Sequence, residues 1–591
     1  MGKQAVRSIA ILVCIMAMLS GAPVRGSPTV ANPVADFIAS VRAAKDAFER
    51  QDYPRAATLY QGIVQANPVN PFFLQQLADS EYLAGDYTGS ISAYRKMLEL
   101  GADQPSYCAY YLARAYAKAG DNASAMQWLT QAMQWGYPKL EDARTDEALA
   151  ALHAQPGFAA LLGITDTTHM TRTQGWRLDL SFLSRWVKAR SYHPFRTDTG
   201  DRFVSRALYT EAEFDAKVKD LKRSIPKLTD AQIEAAMMRL IASLGDGHTE
   251  WAGFVRPKSG LTLPLKFELF REGLFITATA PGYRNLLGAQ VLAFDNHPVP
   301  QVIATATPYL SRDNDYWIDA FMPQLLRYPA LLNGMGIAQR MDQMMLSLKG
   351  MDGRTGDFTV PVTTDAPYIW NELPSPPGWI NLSDVLSKPI PLYLQKNSET
   401  YWFDYQADNK RVYFQFNRVL DGAESLAQFT ERLGKFLDTH AVDRLVIDMR
   451  WNNGGNTYLS QPLLQLLMGR QSINRTGHLF VIIGPRTFSA ALNTAEAFER
   501  YLNAVFIGEP TGGRPNSPGE EWFFSLPYSK ANVSLSNLYW ESGWPVDSRW
   551  AIPPEIYTPR TFADYLAGRD PAMDAAVAYP EEARKAAQVV H

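Results

Sequence analysis

The chain is predicted to be a multidomain α+β protein: an N-terminal α-helical repeat region, a helical subdomain, a β-rich segment and a C-terminal α/β core. Three observations lead there. At 591 residues the chain is too long for a single hydrophobic core. Its first part repeats a helix–turn–helix pattern at spacings of 34 and 35 residues. Its last third alternates apolar strands with amphipathic helices, the pattern of a mostly parallel sheet with ligands at the strands' C-terminal ends. Composition is that of ordinary globular protein, 46% hydrophobic and 20% charged. A formal net charge of −3 and the lack of a long basic run give no reason to expect nucleic acid as a partner.

Residues 1–26 read as a secretory signal peptide. Lys3 and Arg7 form a charged start and Ser8 to Leu19 an apolar run. Ser20-Gly21-Ala22 and Gly26-Ser27 are small-residue cleavage candidates. The run is shorter than the roughly 20 residues a membrane span needs, and no later segment is apolar enough to span. The mature chain is expected to be exported, periplasmic or secreted from a bacterium. One cysteine then remains, Cys108, in a helical pattern that predicts a buried small hydrophobe rather than a reactive thiol.

Across residues 30–165, Gln51-Asp52-Tyr53, Gly85-Asp86-Tyr87 and Gly120-Asp121-Asn122 recur between pairs of helical patterns rich in Ala, Leu and Tyr. This resembles tetratricopeptide repeats (TPR): three copies plus a degenerate piece from Asp142 to Leu162. The resemblance implies a helical stack that recruits an extended peptide or partner protein; a stack that only packs on its neighbour is the alternative.

Residues 175–256 read as a helical subdomain. Helices are expected over Trp176–Trp186, Phe214–Ser224 and Asp230–Leu244, the last delivering His248 at its exit. Residues 257–350 switch to strand signals, Leu263–Phe270 and Leu274–Thr279, then Leu287 to Val299. This run resembles the core of a PDZ domain, which implies peptide binding by strand addition; a plain β scaffold is the other reading. Residues 306–400 resist assignment, although Met335–Leu348 looks helical. Residues 400–575 carry the core: strand Arg411–Phe416, helix Leu426–His440, strand Arg444–Met449, helix Ser460–Gly469, strand Gly477–Ile483 and helix Ala490–Leu502. Further strands are expected at Ala504–Gly508, Trp522–Pro527 and Ala531–Asn537, and a terminal helix over Phe562–Ala587.

Three motifs carry chemistry. Leu479-Phe480-Val481-Ile482-Ile483 is an apolar strand turned by Gly484-Pro485, so Ser489 lies at a helix N-terminus. Orphan N–H groups and the helix dipole there favour an oxyanion. On local residues alone Ser489 reads first as an ordinary helix cap, with Thr487 as the other candidate for that cap. His248, between Gly247 and Thr249, is a candidate acceptor of the serine proton, imidazole being the side chain suited to taking and returning a proton; a structural turn histidine is the other reading. Asn453-Gly454-Gly455 closes an apolar strand, and glycine there lets the backbone approach a ligand and aim its N–H groups at it.

In order, Gly245-Asp246-Gly247-His248-Thr249, Ile447 to Gly455, Pro485 to Ala491 and Gly508 to Asn516 resemble the C-terminal-processing (tail-specific) and tricorn-like serine peptidases over about residues 175–575. The resemblance implies a ClpP/crotonase-like core and Ser489 as nucleophile. The tail-specific branch pairs its serine with a lysine 25 residues on, where this chain has Arg514. Arginine stays protonated and cannot act as a base. The tricorn-like branch uses histidine, matching His248, and an acid matching Asp547. The serine that precedes that histidine is Gly247 here. By position the oxyanion donors are the N–H groups of Gly454 (or Gly455) and Ala490, and Arg514 and Asn516 are assigned to substrate binding. No metal or other cofactor is implied. The expected function is an exported serine peptidase acting on peptides or proteins. The rivals are a catalytically silent scaffold and an esterase on a non-peptide acyl substrate.

Overall fold

The computed structural model describes residues 33–102, 104–135, 137, 139–155, 157–163, 166–197, 206–251, 261–363 and 375–580. The segment read as a signal peptide lies outside them. The chain divides into two compact units, one within Met1–Tyr137 and Thr145–Phe158, the other within Pro138–Arg144 and Ala159–His591. It is a mixed, multidomain fold with an N-terminal helical stack and several sheets.

In the first unit, helices α1 (Pro33–Glu49), α2 (Tyr53–Ala66), α3 (Pro71–Leu83), α4 (Tyr87–Glu99), α5 (Pro105–Lys118) and α6 (Asn122–Gln134) each pack on the next. The recurring turns have a local cause. Gln51, Gly85 and Gly120 take positive φ (61°, 86° and 85°). The aspartate after each caps the following helix, accepting from the backbone N–H of Arg55, Gly89 or Ser124. Cys108 is 2% exposed, and burial pushes its thiol up to about 12, so it packs rather than reacts.

The second unit opens with α7 (Arg172–Arg190), α8 (Glu211–Ser224) and α9 (Asp230–Ala242). Each starts with a reciprocal capping box, Thr171/Gln174, Thr210/Glu213 and Thr229/Gln232. Past α9 the chain forms the short strand β1 (Glu250–Trp251). An antiparallel sheet follows in sequential order: β2 (Leu265–Phe270), β3 (Gly273–Thr279), β4 (Gln290–Phe294), β5 (Gln343–Lys349) and β6 (Thr355–Pro361). The helix α10 (Tyr316–Leu325) lies between β4 and β5. The Met335–Leu348 helix expected from sequence is not formed. Met344, Leu346 and Leu348 are buried in alternation, the period of a strand, and β5 takes them.

The core sheet uses β7 (Tyr401–Gln406), β8 (Arg411–Phe416), β9 (Arg444–Asp448), β10 (Leu479–Ile483), β11 (Val505–Gly508) and, after the hairpin β12 (Ser517–Ser525) and β13 (Asn532–Trp540), β14 (Ile556–Tyr557). Its order is β14-β11-β10-β9-β8-β7, parallel except that β7 runs antiparallel to β8. Both faces are buried, as a parallel sheet requires. Val412, Phe414, Leu445, Ile447, Leu479 and Val481 meet α11 (Leu426–Thr439), α12 (Gln461–Met468) and α13 (Ala490–Tyr501). Tyr413, Val446, Phe480 and Ile482 meet the helix Pro571–Ala578. The terminal helix is broken where one was expected: Gly568 is left-handed (φ 65°) and Asp570 caps a new start at Pro571. No described helix is long and apolar enough to cross a membrane.

Strand β1 pairs with β13, Glu250 opposite Ser534 and Trp251 opposite Val533. Trp186 of α7 packs edge-on against Trp522 of the hairpin at 4.8 Å. Asp179 accepts from the N–H groups of Tyr528 (2.7 Å) and Ser529 (2.8 Å) at the hairpin's end. The helical segment and the hairpin are therefore one packed body, and this fixes where the His248 loop lies.

Candidate active site

Ser489 sits where β10 has ended and α13 begins. Its backbone is at φ 52°, ψ −131°, a region that costs a non-glycine residue about 1–3 kcal/mol and persists only when surroundings impose it. Gly454 supplies part of that constraint. It is itself at φ 105°, and a Cβ there would lie 2.7 Å from Ser489 Cβ and 2.9 Å from Ala490 N. Although Ser489 occupies the cap position, its side chain makes no capping hydrogen bond. Thr487 does not cap either: its hydroxyl donates to the Met449 carbonyl (3.0 Å) and accepts from Gly484 N–H (3.1 Å). Neither hydroxyl caps α13, and Ser489 lines a cavity.

His248 is held by its own loop. Asp246 accepts from His248 N–H (3.0 Å) through one oxygen and from the Thr249 hydroxyl (2.5 Å) through the other. The Ser534 hydroxyl donates to the His248 carbonyl (3.0 Å). The ring stacks on Phe488, the residue before the serine, with centroids 4.4 Å apart. Phe488 in turn abuts Trp317 at 4.1 Å, and Trp317 stacks on Phe321 at 3.8 Å. An aromatic column thus runs from α10 to the imidazole. His248 and Ser489 line one cavity of about 480 Å³ with Gly455, Tyr458, Glu520 and Trp540. They line a second of about 270 Å³ with Gly454, Gly455, Arg418 and Trp451. The ring Nδ1 is buried without a hydrogen-bond partner.

The glycine loop is built on a buried base. At the end of β9, Asp448 pairs with Arg450 (2.8 Å), which pairs with Asp570 (2.9 Å). Tyr413 donates its hydroxyl to Asp448 (2.8 Å). Above this, Asn452 accepts from Gly454 N–H (3.0 Å) and donates to the Phe416 carbonyl (3.0 Å). Gly454 N–H is therefore engaged. Those of Gly455 and Ala490 have no protein acceptor among the described residues and remain open for an oxyanion.

The structure does not bring three of the anticipated residues to the cavity. Both Asp547 oxygens are taken by Arg549, which also pairs with Glu499 at 2.6 Å. Asn516 is buried and braces the loop after β13, donating to the Trp544 carbonyl (2.6 Å) and accepting from Gly543 N–H (3.1 Å). Arg514 is 2% exposed, and its charge opposes the rise that burial imposes on the Asp313 carboxyl. Neither it nor Asn516 is among the described residues lining either cavity. Asn452 lies within the glycine motif read from sequence, though its bracing role does not show there; Trp317 and Asp313 have no local signature.

Glu496, on α13 and 2% exposed, accepts from Asn516 N–H (3.3 Å) through one oxygen and has no partner for the other. Burial, with the charges of Asp547 and Glu499, pushes its carboxyl up to about 8 against the opposing pull of the Asn516 N–H. A raised folded pKa means the native state holds this proton more tightly than the unfolded chain. Its contribution to stability is full below the ordinary glutamate pKa and is lost as pH rises toward about 8. Glu496→Gln is expected to raise the melting temperature by several degrees at pH 9 and leave it unchanged at pH 5, read by calorimetry. An equal shift at both pH values would sink the assignment.

No family model matches the chain, and no curated protein matches it. Solved structures do. The chain is similar in structure to C-terminal-processing and tricorn proteases. The photosystem II D1 C-terminal processing protease shares 14% identity over 68% of this chain and 98% of its own, at a TM-score of 0.33. The tricorn protease shares 13% over 70% of this chain and 37% of its own, also at 0.33. Mature CPAF complexed with lactacystin shares 13% over 67% of this chain and 96% of its own, at 0.47.

Proposed function

We propose that the chain is an exported serine peptidase in which Ser489 attacks the scissile carbonyl and His248 takes its proton. The observation that carries the reading is the shared cavity: a strained serine and an imidazole stacked on the adjacent phenylalanine open on it, beside unengaged backbone N–H groups. In the first step Ser489 Oγ bonds to the carbonyl carbon and its proton passes to the imidazole. The carbonyl oxygen becomes an oxyanion facing the N–H groups of Gly455 and Ala490, with Gly454 shaping the backbone above the serine. The imidazolium then protonates the departing amine as the C–N bond breaks. Water, deprotonated by the same ring, releases the acyl group and restores Ser489. In this reading Asp547, held by Arg549, braces its loop and does not touch the ring. The helical repeats are the module that recruits a protein substrate or partner, and the leader read at residues 1–26 directs export.

The test is covalent. An active-site-directed fluorophosphonate is expected to label the purified chain on Ser489, located by peptide mass, and the protein is expected to degrade unfolded casein. Absence of both label and degradation would refute the reading. Label with ester but no peptide turnover would reassign the substrate to a non-peptide acyl group.

A further inference from the structure

We propose that Asp313 is the positioning acid of His248, with Arg514 as its counter-charge; this rests on the reading of Ser489 and His248 as the reacting pair. Glu250, Glu520 and Glu521 line the open cavities with His248; three aspartates are the candidates for the buried side of the ring, and their hydrogen bonds separate them. Asp246 spends both oxygens on the loop that carries the histidine. Asp547 spends both on Arg549. Asp313 spends one, accepting from Gly247 N–H at 2.8 Å, and its Oδ2 is buried with no partner. The ring Nδ1 of His248, the next residue along, is also buried with no partner. A carboxylate acceptor and an imidazole N–H donor are the complementary halves of the contact that sets the tautomer and leaves Nε2 free to take the serine proton. Burial and the charge of Asp246 push the Asp313 carboxyl above the usual carboxylate range, against the opposing pull of Arg514 and the His248 ring; Arg514 Nε is a third buried unpartnered atom. The two side chains are not directly hydrogen-bonded in this structure, so the proposed contact runs through a bridging water or forms when the ring turns toward the acid.

The position of Asp313 is built rather than accidental. The adjacent Asn314 donates to the carbonyls of Thr511 (3.1 Å) and Trp550 (2.6 Å) and accepts from Tyr316 N–H (3.0 Å). This pins the start of α10, whose Trp317 packs against Phe488, the ring on which the histidine stacks. At the position where the tail-specific branch has a lysine, Arg514 neutralises the acid behind the base instead of serving as the base.

Two aspartate variants decide between the acids. Asp313→Asn keeps an acceptor for Gly247 N–H but loses the charge, and is expected to lower kcat about a hundredfold with little change in KM. Asp547→Asn is expected to keep kcat within about threefold. A second readout is independent of turnover. In the intact Ser489→Ala chain, a low-field imidazole N–H proton resonance is expected that His248→Gln abolishes, Asp313→Asn abolishes and Asp547→Asn leaves in place. Full kcat in Asp313→Asn, or loss of kcat and of the resonance in Asp547→Asn, overturns the proposal. If Asp313→Asn fails to fold, the Asp547→Asn pair of measurements decides alone. A wild-type chain with neither label nor turnover would fail the peptidase reading, while the resonance would still report on Asp313.

Discussion

Ser489→Ala and His248→Ala are each expected to lower kcat by about four to six orders of magnitude, and the double variant is expected to be no slower than either single one. The reason is that the two side chains perform one proton transfer. Remove the nucleophile and the base has nothing to deprotonate; remove the base and the hydroxyl stays protonated at its ordinary pKa. The residual rate then comes from binding and the backbone donors, which both variants keep. Neither substitution should unfold the protein. Ser489 is in a costly conformation that alanine tolerates no worse, and the His248 loop is secured by Asp246 and by β1 rather than by the ring. Steady-state kinetics on an unfolded protein substrate, with melting temperatures alongside, checks both points. Additive losses would show that the residues act independently and would sink the pairing.

Gly454→Ala is expected to lower kcat about ten-thousandfold while deleting no functional group. Two effects combine. The new Cβ would lie 2.7 Å from Ser489 Cβ and 2.9 Å from Ala490 N, so the serine and one oxyanion donor must both move. Loss of a donor costs about 2.7–4 kcal/mol of transition-state stabilisation, and a displacement of about 1 Å costs on the order of a further hundredfold. The backbone at φ 105° also resists any L side chain. Gly484→Ala is the control: its Cβ would meet nothing closer than Arg450 Cβ at 3.5 Å, an ordinary contact, and near-normal turnover is expected. Turnover within about tenfold of wild type in Gly454→Ala would contradict the placement of this loop above the nucleophile.

Both predictions draw on features of different legibility. The three repeat turns were readable because a left-handed residue and an aspartate cap act within four positions of each other. The core strands were readable because sheets buried on both faces leave unbroken apolar runs such as Leu479–Ile483. Ser489 stood out because a strand, a turn and a helix follow one another along the chain. The strand β5 was misread as a helix because a short apolar run fits either period until its neighbours decide which residues are buried. The single terminal helix failed because a left-handed Gly568 and a capped Pro571 outweigh helical propensity.

Local pattern determined most of the core helices and strands, and which serine, histidine and glycines carry chemical promise, since those depend on neighbours a few bonds away. Which of them meet was decided only in three dimensions. Pairing of β1 with β13 carries the histidine loop to the serine, and a stretch with no readable period brings Asp313 against Gly247 and, from α10, Trp317 against Phe488. Side chains that converge from distant parts of a chain leave no common mark in it, because their interaction energy depends on spatial separation and burial, and neither is a property of the linear order.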